Sequence, residues 1–131
     1  MTHPFDDAIR LDATGTHVRR GRTHPEWANM VGPFGGITAA AVLHAIESHP
    51  DRRGEPLALT VNYAAPIADG GFEISLRAAR TNRSNQHWET TSSCAPRTPT
   101  ASVAATSTRA HRCGHGMACC RRPHQVVHFK G

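Results

Sequence analysis

Apolar residues change their rhythm along this chain, and each rhythm predicts a different element. Between residues 37 and 46, Ile37, Ala40, Ala41, Val42, Leu43, Ala45 and Ile46 occupy nearly every direction around a helical axis. The pattern predicts a helix over 34–48, apolar all round and therefore buried, with a sheet wrapped about it. His49, Pro50, the charged residues after them and Gly54 supply its stop signal. Residues 57–63 then alternate, with Leu57, Leu59, Val61 and Tyr63 on one face, and residues 72–78 alternate again through Phe72, Ile74, Leu76 and Ala78. The turn-rich stretch 66–71 between them predicts that these two strands pair antiparallel. A looser alternation over 16–21 predicts an earlier strand, a polar loop carries Pro25, Trp27 and Asn29, and 86–91 predicts the start of a further strand.

Beyond Glu89 the pattern stops. The large apolar residues of 90–131 are Val103, Met117, Val126, Val127 and Phe129, scattered among Ser, Thr, Ala, Arg, His and Pro, and all four cysteines of the chain lie here. The boundary predicts a folded domain over 1–89 and a low-complexity, basic Cys/His tail over 90–131. Too apolar-poor to build a core, the tail is expected to be largely irregular, with 101–106 as its single strand-like stretch. Its proportions are those that out-of-frame reading of a GC-rich gene yields. Charge divides at the same place. Residues 1–89 hold nine arginines against all ten acidic residues, whereas 90–131 hold five arginines and one lysine against none. A nucleic-acid surface carries its charge on a folded face with stacking aromatics, and this tail offers Phe129 alone, so no nucleic-acid partner is expected. Cys113, His115, the adjacent Cys119 and Cys120, His124 and His128 invite a zinc reading, but their spacing is too tight for the usual paired ligands, and no metal or cofactor is expected. The chain has no 18-residue apolar run and no secretory signal, from which no membrane association and a cytoplasmic location are expected.

Gly32-Pro33-Phe34-Gly35-Gly36 runs directly into the predicted helix. A glycine turn opening a helix lets a substrate carbonyl or phosphate approach the backbone, and the first N–H groups point at it from the positive end of the helix dipole. Gly35 and Gly36 are thereby candidate oxyanion donors, with close packing of helix on sheet as the alternative use of both glycines. Asn29, in the loop before the helix, is placed to orient a water. Of the other polar candidates, His24 and His87 are of the type that serves as a base near neutrality, while Glu26, Glu47, Asp51, Glu55 and Asp69 fit solvated surface charges better.

Three stretches carry a resemblance: residues 32–37 at the helix start, 57–66 as a strand ending in an aromatic and a proline, and Arg80-Thr81-Asn82-Arg83-Ser84. Over residues 5–88 the chain resembles the first repeat of the double-hotdog acyl-CoA thioesterases, the type II or TesB-like group, whose pattern has Gly where Asn82 stands. The resemblance implies an α+β hotdog fold, an antiparallel sheet wrapped around a central helix, here incomplete because the family fuses two repeats. It implies hydrolysis of fatty acyl-CoA by attack of water, with Trp27, Phe34 and Tyr63 lining the acyl tunnel and Arg83, with Arg80, holding the phosphates of coenzyme A. The family's water-activating Asp, Gln and Thr or Ser lie mainly in its second repeat and have no position here. A homodimer would restore two repeats. Two other readings stand beside this one: an inactive remnant that binds acyl-CoA or a protein partner, and a zinc or nucleic-acid module built from the tail.

Overall fold

The computed structural model describes residues 1–63, 67–94 and 124–130. A short helix, α1 (Pro4–Ala8), precedes β1 (Leu11–Gly15) and β2 (Val18–Arg22). One 3-10 turn (Pro25–Trp27) and two two-residue strands, β3 (Ala28–Asn29) and β4 (Gly32–Pro33), lead into α2 (Gly35–Glu47). The strands β5 (Glu55–Val61), β6 (Gly71–Thr81), β7 (Asn85–Cys94) and β8 (His124–Lys130) follow. Among the described residues the long strands form one six-stranded antiparallel sheet in the order β1-β2-β6-β7-β8-β5, and β3 and β4 form a separate miniature hairpin.

The helix occupies the predicted stretch less its two caps, Phe34 and Ser48, and the Ser48 hydroxyl closes its end by donating to the His44 carbonyl at 2.8 Å. Its burial departs from expectation. Ile37, Ala41, Val42, Ala45 and Ile46 form one buried stripe, while Ala39, Ala40 and Leu43 remain half-buried. The sheet covers one side of the cylinder, and the small alanines on the other side cost little to leave in water. The stripe packs on Phe72, Ile74, Leu76, Trp88, Val127 and Phe129 from the inner sheet face. Each fully buried Val, Ile or Phe among them contributes about 2 kcal/mol of hydrophobic stabilisation.

Strand β6 keeps its alternation through Phe72, Ile74 and Leu76, but Ala78 is exposed, just before a register slip with β7 between Ala78 and Arg80. A second slip, between Pro56 and Ala58 against β8, puts Leu57 outside at 68% exposure instead of on the inner face. Gly21 stands directly opposite Phe72, and a Cβ there would lie 2.5 Å from the Phe72 ring, so the missing side chain is what lets that ring cross β2. At the β1–β2 turn the buried Arg19 turns its guanidinium onto the carbonyls of Gly15, Thr16 and Val18, at 2.9, 3.4 and 3.1 Å. Those carbonyls compensate the charge that burial would otherwise leave bare.

Two expectations about pairing are corrected. β5 and β6 are not neighbours: β5 pairs with β8, while β6 takes β2 on one side and β7 on the other. Alternation fixes which face a residue occupies and leaves the identity of the neighbour open. The sheet also does not stop at the compositional break. β7 continues through Thr90 and Ser92, both buried, to Cys94, and β8 brings Val127 and Phe129 to full burial. A segment poor in apolar residues still supplies core when its few large side chains recur with a period of two. The strand expected at 101–106 and the three candidate cysteine ligands, Cys113, Cys119 and Cys120, lie outside the described residues.

Candidate functional site

The start of α2 gathers most of the residues singled out by sequence. Phe34 is the N-cap in an extended conformation, and its side chain caps none of the first-turn N–H groups. Ile37 and Thr38 donate to the Phe34 carbonyl at 3.1 and 3.4 Å, so Ile37 is not an open donor. The N–H groups of Gly35 and Gly36 precede the first intrahelical bonds and point out along the axis, where the helix dipole is positive. No acidic residue occupies this turn to neutralise that end.

Both glycines also have a packing reason. A Cβ on Gly35 would lie 3.2 Å from the Tyr63 ring, and one on Gly36 would lie 2.5 Å from the Phe34 ring. Tyr63, reaching across from the end of β5, donates its hydroxyl to the Gly35 carbonyl at 2.6 Å. The two aromatic rings therefore pack beside the two glycines, each half in solvent at 55% exposure. Asn29 is close by in the chain but engaged: its Oδ1 accepts from the N–H groups of Val31 at 2.9 Å and Gly32 at 3.2 Å, closing the β3–β4 turn. Gly32 completes that turn at φ +140°, a backbone conformation that favours glycine. Trp27 accepts the Phe34 N–H on its carbonyl at 2.8 Å and sets its indole edge-on to Phe5, ring centroids 6.1 Å apart, with the indole N–H buried and without a partner among the described residues. It braces the helix start from behind.

Arg83 is not part of this group. It lies exposed in the β6–β7 turn, beside Gln86, whose amide bonds the Asp51 carbonyl and the Arg53 N–H in the loop that follows α2. That is the far end of the helix, about 20 Å from Gly35 at 1.5 Å per residue. Arg80 and His87, in register across β6 and β7, share that end.

A narrow cavity of about 20 Å³ runs under the first turns of α2, lined by Ile37, Thr38 and Ala41 on the helix and Phe72 and Ile74 on β6. Its polar lining includes His24, the candidate base, together with Thr38 and Ser92, which sequence reasoning missed. Thr38 had a legible signal as the one hydroxyl within the apolar run of the helix. The His24 Nδ1 accepts from the Glu26 N–H at 3.4 Å, which leaves the proton of the neutral ring on Nε2. In that tautomer His24 offers its surroundings a donor. Among the described residues no group of three His, Cys, Asp or Glu side chains is placed to hold a metal ion, and no helix is long and apolar enough to cross a membrane.

Residues 23–110 match the acyl-CoA thioesterase N-terminal domain family, a span that covers the helix start, the cavity and the β6–β7 hairpin. The chain belongs to this family. Two solved structures share the thioesterase domain's hotdog fold. A conserved hotdog protein of unknown function from Alicyclobacillus acidocaldarius superposes with a TM-score of 0.74 at 39% identity, over 99% of this chain and 40% of that one. A Thermobifida fusca YX protein provisionally assigned as a thioesterase II superposes with a TM-score of 0.70 at 12% identity, over 97% of this chain and 39% of that one. The chain thus spans about two fifths of the solved chains it matches. None of the curated proteins matches it.

Proposed function

We propose that this domain binds fatty acyl-CoA and takes part in its hydrolysis by water, holding the thioester oxygen at the start of α2. The observation that carries the reading is the first turn of α2, where no cap side chain takes the Gly35 and Gly36 N–H groups and the Phe34 and Tyr63 rings pack beside the two glycines. As water adds to the thioester carbonyl, negative charge grows on its oxygen, and donors fixed in advance at that position lower the barrier. The tetrahedral intermediate then collapses, expelling the coenzyme A thiolate, which takes up a proton. The rings of Phe34 and Tyr63 give the acyl chain apolar surface next to the carbonyl. His24 and Thr38 are donors placed to orient the water. The proton acceptor comes from a second hotdog unit, supplied by a second copy in a homodimer.

Release of coenzyme A thiol from acyl-CoAs of increasing chain length, followed with the purified chain, tests the reading. Gly36→Val displaces the Phe34 ring and crowds the donors, and it is expected to lower kcat/KM by about tenfold or more while thermal stability stays near that of the parent. Absence of turnover with acyl-CoA binding intact would instead support a domain that binds without hydrolysing, the reading favoured by its span of two fifths of the matched chains. The zinc or nucleic-acid reading rests on cysteines outside the described residues and gains no support from the residues described.

A further inference from the structure

At the other end of α2, a buried histidine is joined to an exposed one. His49, just past the helix, has a fully buried side chain packed on the Trp88 indole, with ring centroids 4.7 Å apart. Its Nδ1 accepts the Asp51 N–H at 3.1 Å, so the proton of the neutral ring sits on Nε2. That Nε2–H faces Nδ1 of His17 at 3.3 Å, and the two rings lie stacked 12° from parallel. His17 is exposed in the β1–β2 turn, where it covers His49.

The groups facing His49 come from each element around it. From the β1–β2 side come His17 and the Arg19 guanidinium, the latter tied to the turn carbonyls. From its own loop comes the Asp51 carboxylate, 3.9 Å from Nδ1. From β7 come two uncharged groups, Trp88 and Gln86, and Gln86 fastens the same loop through the Asp51 carbonyl and the Arg53 N–H at 3.0 Å each.

We propose that His17 and His49 form an acid-released latch that joins the end of α2 to the β1–β2 turn. The His49–His17 bond needs an unprotonated Nδ1 on His17, and the bond from the Asp51 N–H needs an unprotonated Nδ1 on His49. Protonation of His17 puts an N–H on Nδ1, donor against donor with His49, and protonation of His49 sets a second donor against the Asp51 N–H. Burial holds the His49 ring below the ordinary imidazole range, with His17 and Arg19 acting in the same direction and the Asp51 carboxylate and a bond to the Thr16 backbone opposing. The unfolded chain therefore takes up the proton first as the pH falls. Stability conferred by the neutral ring is complete above about 6.5, the ordinary histidine value, and is lost on the way down to the lower folded-state value.

The test uses the full chain and His17→Ala, a change at an exposed position that leaves the core intact. At pH 8 the variant is expected to melt about 4 °C below the parent, as the loss of one buried-face hydrogen bond implies, and the difference is expected to shrink as the pH falls toward 5. In a Trp27→Phe background, Trp88 is the remaining tryptophan. Its emission, read below the melting transition, is expected to be quenched along one acid limb with a midpoint under 6.5 as the imidazolium forms beside it. A melting difference equal at pH 8 and pH 5, or Trp88 emission flat across that range, would overturn the latch.

Discussion

Gly21 leaves almost no space between β2 and the Phe72 ring, since a Cβ there would also come within 2.8 Å of Leu11. Gly21→Ala forces that ring and the Leu11 side chain apart, and urea unfolding is expected to show a loss of about 1–3 kcal/mol, the usual cost of overpacking. Tyr63 sits under less constraint. Because its ring is half in water, Tyr63→Phe removes the bond to the Gly35 carbonyl and leaves the packing, at an expected cost of about 1 kcal/mol or less. On the proposed function the same variant loosens the helix start, and kcat falls while KM stays near its parent value. Both residues follow one rule: where a glycine faces an aromatic ring, the ring occupies the volume that the glycine leaves empty.

Elements with strong local punctuation were legible in the sequence. α2 lay within one residue of expectation at each end, because Gly35 and Gly36 open it and His49 and Pro50 close it. β6 was legible through its inner face, because Phe72, Ile74 and Leu76 are large and strictly spaced. β3 and β4 have two residues each, too short for any period to appear, and are held by the Asn29 side chain rather than by pattern. The partner of β5 was illegible for another reason. β8 lies far along the chain, in a stretch whose average composition conceals the alternation of Val127 and Phe129. Of the candidate site, the helix start with Phe34, Gly35, Gly36 and Tyr63 assembled across a separation of 28 residues, whereas Arg83 fell at the opposite end, since spacing does not say which end of a hairpin a turn occupies. Phe129→Ala tests the element scale directly. Truncating a fully buried ring is expected to cost about 3–5 kcal/mol, measured by denaturant unfolding, and a change within 0.5 kcal/mol would mean that β8 is not part of the core.

For the whole molecule, the order of strands determines what a second copy can offer. Among the described residues β1 and β5 are the two edges of the sheet, each with one neighbour. Edge strands carry unpaired backbone groups that invite another chain, and β5 also exposes Leu57 beside one of them. The homodimer of the proposed function predicts twice the chain mass by sedimentation equilibrium; a single-chain mass at working concentration would remove the second unit from the proposed mechanism.

The position of β8 between β7 and β5 also governs the order in which the protein can be made. A ribosome releases residues 55–61 long before residues 124–130, and until the later segment emerges β5 has no strand beside it. Nascent chains stalled ahead of residue 124 should therefore remain open to protease in the β5 region, and chains extended until residue 130 clears the exit tunnel should become resistant. Folding of this sheet is then a delayed event, withheld until residues 124–130 have emerged, and anything that binds nascent chains meets β5 during that interval.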